Sequence, residues 1–340
     1  MLSTILENIA PTSSLSTTFF PPAALFSGED VPDLSGKVII VTGGNAGIGY
    51  ETVKVLLKKN AKVYLAARSQ DKAEKAIAHL KEETGKEAHF LKLNLGDLAS
   101  IKSSAEEFLS KETKLDVLFN NAPLPTWLSS GVMTPPTNQL TESGYDLQWG
   151  TNVLGPYYFT KLLIPALKAS KAASGTPSRV ISTSSLAHEY APTSAPNKVW
   201  EVDTFIGGEK RDAFIKKWGE YGARSALYGQ SKAGNIAHAN YLGREYAGEI
   251  VACSLHPGMI NSELQRHLPG VVARIVRWMS YPMTMGALTQ LKAGTILTPE
   301  EINGKYYQPW GRVGRPTPQS NDPALADELH KLCEAEIAKL

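Results

Sequence analysis

Short apolar runs alternate with amphipathic segments along most of the chain, beginning at Lys37. The first run, Val38–Thr42, is nearly continuous in apolar residues, as expected for a parallel strand buried on both faces. Strands are predicted over Val38–Thr42, Lys62–Ala67, Ala88–Leu93, Val117–Phe119, Val180–Thr183, Ile250–Leu255 and, last, Lys305–Gln308; helices over Ile48–Lys59, Asp71–Thr84, Ser100–Ser110, Thr141–Lys168, Ser225–Tyr246 and Pro323–Leu340. This alternation predicts an α/β fold, with a single doubly wound parallel sheet and helices on both faces.

The domain organisation follows from this pattern. Residues 1–33 precede the first strand and are predicted to form an N-terminal arm, and residues 34–340 a single domain. Segments near 123–140, 188–226 and 262–290 are longer than the connections that the alternating strands and helices require. Their aromatic and apolar residues suggest substrate lids, with a stabilising flap or ordinary core packing as the alternatives. The final helix is predicted to pack on the surface or at an oligomer contact.

Composition narrows the classes of protein that the chain can belong to. Its 340 residues carry 35 basic and 33 acidic side chains, so no basic excess indicates nucleic-acid binding. Cys253 and Cys333 are too few for a disulfide framework or a metal cluster, and no metal site is expected. No apolar run reaches the ~20 residues of a membrane span. A cytoplasmic protein is expected. Weak contact of residues 268–291 with a membrane surface stays open, as do a monomer and a homo-oligomer.

A glycine-rich turn follows the first strand and opens the first helix. Such a turn lets the backbone approach a pyrophosphate, and the helix N-terminus offers N–H groups to the anion. The candidate cofactor-binding residues here are Gly43, Asn45, Gly47, Ile48 and Gly49. The second predicted strand is followed by Arg68, and its end carries no acid for the ribose hydroxyls of NAD. An arginine can instead pair with a 2′-phosphate, so NADP is the expected cofactor, unless Arg68 is only a solvated loop residue.

Three side chains suggest acid–base chemistry beside such a cofactor. Tyr228 and Lys232 are four residues apart, hence one turn apart on one helix face. An ammonium near a phenol lowers the pKa of the phenol, so we expect Tyr228 to exchange a proton near neutral pH while hydride moves. Ser185 follows the strand Val180–Thr183 and could hold the substrate oxygen there.

Together these motifs resemble the short-chain dehydrogenase/reductase family from about residue 34 to 310, and hints such as Ser184-Ser185-Leu186-Ala187-His188 resemble its retinol-dehydrogenase-like branch. The resemblance implies a Rossmann fold, with Tyr228 as catalytic acid/base, Lys232 as pKa tuner and ribose ligand, and Ser185 steadying the substrate oxygen. It further implies that Asn152 supports a proton-relay water. Further cofactor contacts implied by the resemblance are Asn94, Leu95, Asn121, Ile260 and Ser262.

One departure from the family pattern bears on activity. The family motif that matches Asn120-Asn121-Ala122 continues with Gly, but this chain has Pro123, which fixes φ and removes a backbone donor. The expected function is an NADP-dependent enzyme that interconverts a carbonyl and an alcohol on a lipophilic, retinoid-, steroid- or terpenoid-like molecule, in specialised metabolism. The alternative is a catalytically weak nucleotide-binding sensor or partner-binding protein on the same fold.

Overall fold

The central feature of the computed structural model is one sheet. Residues 20–121, 135–192, 200–261 and 280–340 are described, and within them eight strands lie in the order β3-β2-β1-β4-β5-β6-β7-β8. The strands are β1 (Val38–Thr42), β2 (Lys62–Ala67), β3 (His89–Lys92), β4 (Val117–Asn120), β5 (Ser178–Thr183), β6 (Ile250–Leu255), β7 (Lys305–Gln308) and β8 (Arg312–Val313). The first seven are parallel. Because the order reverses between β1 and β4, the sheet is doubly wound, as predicted.

Helices cover both faces of the sheet. They are α1 (Gly47–Lys58), α2 (Gln70–Thr84), α3 (Leu98–Lys111), α4 (Leu147–Trp149), α5 (Gly155–Ser174), α6 (Glu209–Glu245), α7 (Met283–Thr295), α8 (Pro299–Ile302) and α9 (Pro323–Ile337). One core cluster joins the sheet to α3, α5, α6 and α9 through residues such as Phe108 and Leu329. The other joins it to α1, α2 and α7 through Leu56 and Leu291. The Rossmann architecture expected from the sequence is therefore confirmed.

The predicted start of the fourth long helix at Thr141 is wrong. Gly144, with a φ of 82°, belongs to a turn in which the Thr141 amide donates to the Tyr145 carbonyl. The helix begins only after Asp146, whose carboxylate accepts hydrogen bonds from the first-turn amides. Aspartate is a strong N-cap, and Glu-Ser-Gly is typical of turns, so local chemistry set the boundary here. A π-helical turn, Gly150–Leu154, then links α4 to α5.

Two further predictions need correction. α6 consists of two helical segments that meet at Gly219, and the segment carrying Tyr228 begins after that residue rather than at Ser225, so Tyr228 lies within it and not at its start. A break at Gly219, with φ 67° and ψ 158°, divides this helix, and the polar residues before the break hid its first part. The last strand is also not β7, because β8 returns antiparallel to it after a tight turn at Gly311.

The insertion 188–226 divides into a buried and an exposed part. Trp200 and Phe205 lie in the core, where Phe205 stacks on Trp149 with ring centroids 3.5 Å apart. Trp218 and Tyr221 are 43% and 70% exposed. The first two aromatics thus stabilise the fold rather than line a lid. Residues 123–134 and 262–279 of the other predicted lids, and residues 193–199 of this one, lie outside the described residues.

The described part of the predicted N-terminal arm packs on the domain. Phe26 and Val31 are buried in the same core cluster as α1, while residues 1–19 lie outside the described residues. Among the helices that the structure describes, none combines the length and apolar character needed to cross a bilayer.

Candidate active site

The turn between β1 and α1 forms a cradle at the carboxyl edge of the sheet. Gly43 and Asn45 lie on the turn, and Gly47, Ile48 and Gly49 open α1. A Cβ atom at Gly49 would collide with the Gly43 carbonyl oxygen and lie 2.7 Å from Asn121 Nδ2, so a side chain would push the turn apart. Ala46, the N-cap, provides no side-chain hydrogen bond to the first turn. The cradle therefore fits an anionic ligand at a helix N-terminus.

Asn121 joins this cradle to the neighbouring strand. Its side-chain amide donates to the Thr42 carbonyl, and its backbone amide donates to Thr42 Oγ1, both at 3.0 Å. Thr42 in turn donates to the Phe119 carbonyl at 3.2 Å. These bonds hold the ends of β1 and β4 together and place Asn121 beside the glycines. Its contact with a cofactor stays a prediction. Pro123 lies outside the described residues.

The predicted adenine-side residues lie at the ends of β2 and β3. Arg68 follows β2 directly and is exposed. Asn94 Oδ1 accepts from the Gly96 amide at 3.2 Å, and Asn94 Nδ2 donates to Glu142 at 3.1 Å. Leu95 is buried in the core, so its side chain belongs to the packing and its backbone is what a ligand there could contact. The structure thus brings all three to the carboxyl edge of the sheet, where the cradle also lies.

Ile48 and Ile260 both pack against Gly286 of α7, although they are far apart in sequence. A Cβ at Gly286 would lie 2.9 Å from a Cγ1 atom of each. Residues 259–261 are held by Tyr281, whose amide donates to the Met259 carbonyl at 2.7 Å and whose carbonyl accepts from Asn261 at 2.8 Å. Ile260 is therefore fixed close to the cradle. Ser262 lies outside the described residues.

Ser185 lies just beyond β5, at the N-cap of the short 3₁₀ helix Leu186–Tyr190. Its hydroxyl oxygen accepts from the Ala187 amide at 3.2 Å. The same hydroxyl lies close enough to the Tyr228 side chain to lower the pKa of that phenol. The 3₁₀ helix packs closely on α6, because a Cβ at Gly229 would lie 2.6 Å from Tyr190 C and from Ala191 N. This close approach brings the two hydroxyls together.

Lys232 is buried one turn after Tyr228. Its Nζ donates to the Thr183 carbonyl at 3.1 Å and lies 5.7 Å from the centre of the Tyr228 ring. Burial lowers the pKa of Lys232 to about 8. The Asn235 side chain donates to the same Thr183 carbonyl at 2.9 Å, so two side chains of one helix face hold the end of β5. Lys232 therefore faces the site and not solvent.

The expected lowering of the Tyr228 pKa is not what the structure shows. Withdrawal of the partly buried phenol from water raises its pKa, and the hydrogen bond with Ser185 offsets this only in part. The Lys232 ammonium is directed toward Thr183 rather than the phenol oxygen. Tyr228 is accordingly a phenol at neutral pH, ready to donate a proton.

Asn152 lies in the π-helical turn and is almost completely buried. Its Nδ2 donates to Ser231 Oγ at 3.0 Å, and Ser231 donates to the Tyr228 carbonyl at 2.8 Å. Its Oδ1 has no hydrogen-bond partner among the described residues. A buried amide oxygen of this kind suits a bound water, and the role of Asn152 in a proton relay stays a prediction.

Sequence reasoning missed two residues that hold this site together, Thr42 and Asn235. Thr42 is the first residue of the glycine-rich motif, and its contribution is a hydrogen-bonded clamp on Asn121. Asn235 lies three residues after Lys232, so helical spacing alone places it on the same face. That spacing was a usable signal, whereas the Thr42 clamp depends on strand pairing.

Comparison with known proteins agrees with the geometry. The family model for short chain dehydrogenase matches residues 37–196. A short-chain dehydrogenase/reductase of Armillaria gallica is 48% identical over 324 residues, covering 95% of this chain and 97% of its own.

Two solved structures, both under 25% identical, show the same fold. An NADPH-bound carbonyl reductase from chicken fatty liver has a TM-score of 0.57 at 21% identity, covering 82% of this chain and 98% of its own. An NADH-dependent reductase complexed with NAD has a TM-score of 0.56 at 23% identity, with 81% and 95% covered. The match to the Armillaria protein over nearly the whole of both chains shows that this chain belongs to the short-chain dehydrogenase/reductase family of oxidoreductases.

Proposed function

We propose that the protein is an NADP-dependent oxidoreductase that interconverts a carbonyl and an alcohol on a lipophilic small molecule. The observation that carries this proposal is the assembly of Ser185, Tyr228 and Lys232 at the same edge of the sheet as the glycine cradle. Hydroxyl, phenol and ammonium are the groups needed to hold a carbonyl oxygen and protonate it.

The cradle and Arg68 support the choice of cofactor. The uncapped first turn of α1 would hold the diphosphate, and Arg68 would pair with the 2′-phosphate beyond β2. The bound cofactor would supply the hydride. One of the two solved relatives carries NADPH and the other NAD, so the preference for NADP rests on Arg68.

Tyr228 acts as the proton donor in the reductive direction. Its phenol, kept protonated by burial, gives its proton to the substrate oxygen as negative charge develops there. Ser185 donates a second hydrogen bond to that oxygen and thereby orients the carbonyl. Asn152 would hold a water through its unpartnered Oδ1. In the oxidative direction the same groups would remove the proton from the alcohol.

The substrate class is proposed from the part of the sequence that follows Ile260. Residues 268–291 carry apolar and aromatic side chains, among them Val272 and Trp278, and part of this segment lies outside the described residues. A retinoid-, steroid- or terpenoid-like substrate, the retinol-dehydrogenase-like branch and a step in specialised metabolism remain our predictions. A cytoplasmic location, weak membrane contact and the oligomeric state also remain predictions.

A sensor on the same fold is the competing function, and the assembled Ser185–Tyr228 pair argues against it. The test is a titration with NADPH, followed by its fluorescence, and then turnover on a panel of apolar ketones and aldehydes. Binding together with oxidation of NADPH supports the enzyme. Tight binding without oxidation across the panel would support the sensor, and no binding would defeat both.

A further inference from the structure

His188 is a buried histidine next to the catalytic serine that the proposed chemistry does not use. It ends the motif Ser184-Ser185-Leu186-Ala187-His188, and only 1% of its surface is exposed. Both ring nitrogens have partners. Nδ1 lies 2.7 Å from the Ser185 carbonyl oxygen, and Nε2 lies 3.2 Å from the Thr317 amide nitrogen.

These two partners fix the state of the ring. A backbone amide can only donate, so Nε2 must accept from Thr317 and carries no hydrogen. A carbonyl can only accept, so Nδ1 must carry the hydrogen and donate to Ser185. His188 is therefore neutral, with its proton on Nδ1. Burial, which lowers the pKa of His188, favours the same neutral form.

The hydrogen bond from Nδ1 acts on the backbone of Ser185. The Ser185 carbonyl also accepts from the His188 amide at 3.1 Å, and the Ser185 hydroxyl accepts from the Ala187 amide. That hydroxyl also neighbours the Tyr228 phenol, whose pKa it lowers. The direction in which Ser185 faces Tyr228 thus depends on how its carbonyl is held.

We propose that His188 is a positioning residue for catalysis, which holds the Ser185 carbonyl and so fixes the Ser185 hydroxyl against Tyr228 and the substrate oxygen. Thr317, in the segment between β8 and α9, holds the ring from its other side. This inference rests on the proposed function, because Ser185 must act on substrate for its position to affect turnover.

A purely structural role of His188 would depend on a different ring nitrogen. If His188 only tethers the segment around Thr317 to the domain, the Nε2 acceptor is the atom that matters. If it positions Ser185, the Nδ1 donor is the atom that matters. Two amide side chains separate these cases. The amide of asparagine lies near the position of Nδ1, and that of glutamine near the position of Nε2.

The experiment compares His188→Asn with His188→Gln, each checked for folding by circular dichroism and thermal unfolding. We expect His188→Gln to lower kcat at least about tenfold with KM and NADPH affinity little changed, since misplacement by about 1 Å can cost ~10²-fold. His188→Asn should retain kcat within about threefold. Equal losses in both variants, or the greater loss in His188→Asn, would overturn the proposal.

A second comparison tests whether His188 acts through Ser185. In a Ser185→Ala background, His188→Gln should lower kcat no further, because the hydroxyl to be positioned is gone; additive losses would contradict the proposal. NMR of isotope-labelled histidine determines which ring nitrogen of His188 carries the proton, independently of turnover. Neutral His188 protonated on Nδ1 supports the proposal, and protonation on Nε2 refutes it. Failure of the parent protein to turn over any carbonyl would defeat the proposed function instead.

Discussion

Replacing Gly229 by alanine tests the close packing that aligns Ser185 with Tyr228. The new Cβ would lie 2.6 Å from Tyr190 C and Ala191 N and 2.8 Å from the Ala187 carbonyl oxygen. These are backbone atoms, so no side-chain rotation relieves the contact. To reach an ordinary 3.4 Å separation, the 3₁₀ helix must withdraw by about 0.8 Å.

The expected effect follows from that displacement. Because Ser185 is the N-cap of the 3₁₀ helix, it should move with it and away from Tyr228. A misplacement of about 1 Å can cost ~10²-fold in rate, so we expect kcat to fall between about tenfold and a hundredfold. Overpacking costs roughly 1–3 kcal/mol, against which alanine in a helix regains about 0.5–1 kcal/mol, so the protein should remain folded.

Gly222→Ala is the matched control on the same helix. The nearest atom to its Cβ would be Trp218 Cβ at 3.6 Å, an ordinary contact. This variant should gain about 0.5–1 kcal/mol in unfolding free energy and keep the parental kcat. The assays are urea unfolding, NADPH binding by fluorescence, and steady-state oxidation of NADPH. Parental kcat in Gly229→Ala would refute the reasoning, and equal losses in both variants would attribute the effect to the helix rather than the contact.

Three further predictions concern charge. Arg68→Asp should narrow or reverse the preference for NADP(H) over NAD(H), measured as the ratio of dissociation constants; equal affinities in the parent would contradict it. Since burial lowers the pKa of Lys232 to about 8, its ammonium is lost as the pH rises through that value. NADPH affinity should fall around that pH, and Lys232→Ala should weaken NADPH binding and remove this dependence of affinity on pH. The same fall of affinity with pH in the variant would show that another group causes it. Arg211→Met should lower the unfolding free energy by about 3–5 kcal/mol, because it leaves Asp146 buried without its partner at 2.6 Å; a loss below about 1 kcal/mol in urea unfolding would contradict this.

The sheet was predictable because each strand has a local signature. The strand bounds from apolar runs agree with the structure to within two residues, from Val38–Thr42 to Ile250–Leu255. Helix starts were harder, since a polar helix such as the first part of α6 has a weak periodic signal. The turn at Thr141 has local signals, the Glu-Ser-Gly sequence and the Asp146 N-cap, which the apolar pattern overlooked, whereas the short strand β8 depends on its pairing with β7.

The site was predictable as a set of residues but not in its electrostatics. Spacing placed Tyr228 and Lys232 on one face, the end of a predicted strand supplied Ser185, and the resemblance supplied Asn152. Their neighbourhood could not be derived from spacing. The sequence does not show that Lys232 is bound to the Thr183 carbonyl or that burial raises the pKa of Tyr228. Both facts depend on how β5 and α6 pack.

The central claim is that Tyr228 transfers the proton, and Tyr228→Phe tests it most directly. The measurement is the single-turnover rate of NADPH oxidation on the best carbonyl of the panel, with NADPH affinity determined on the same samples. Loss of an acid–base group typically costs at least ~10²-fold, so the rate should fall by that much while NADPH affinity and folding stay close to the parent. A folded Tyr228→Phe protein that oxidised NADPH at the parental rate would remove Tyr228 from the chemistry and contradict the account.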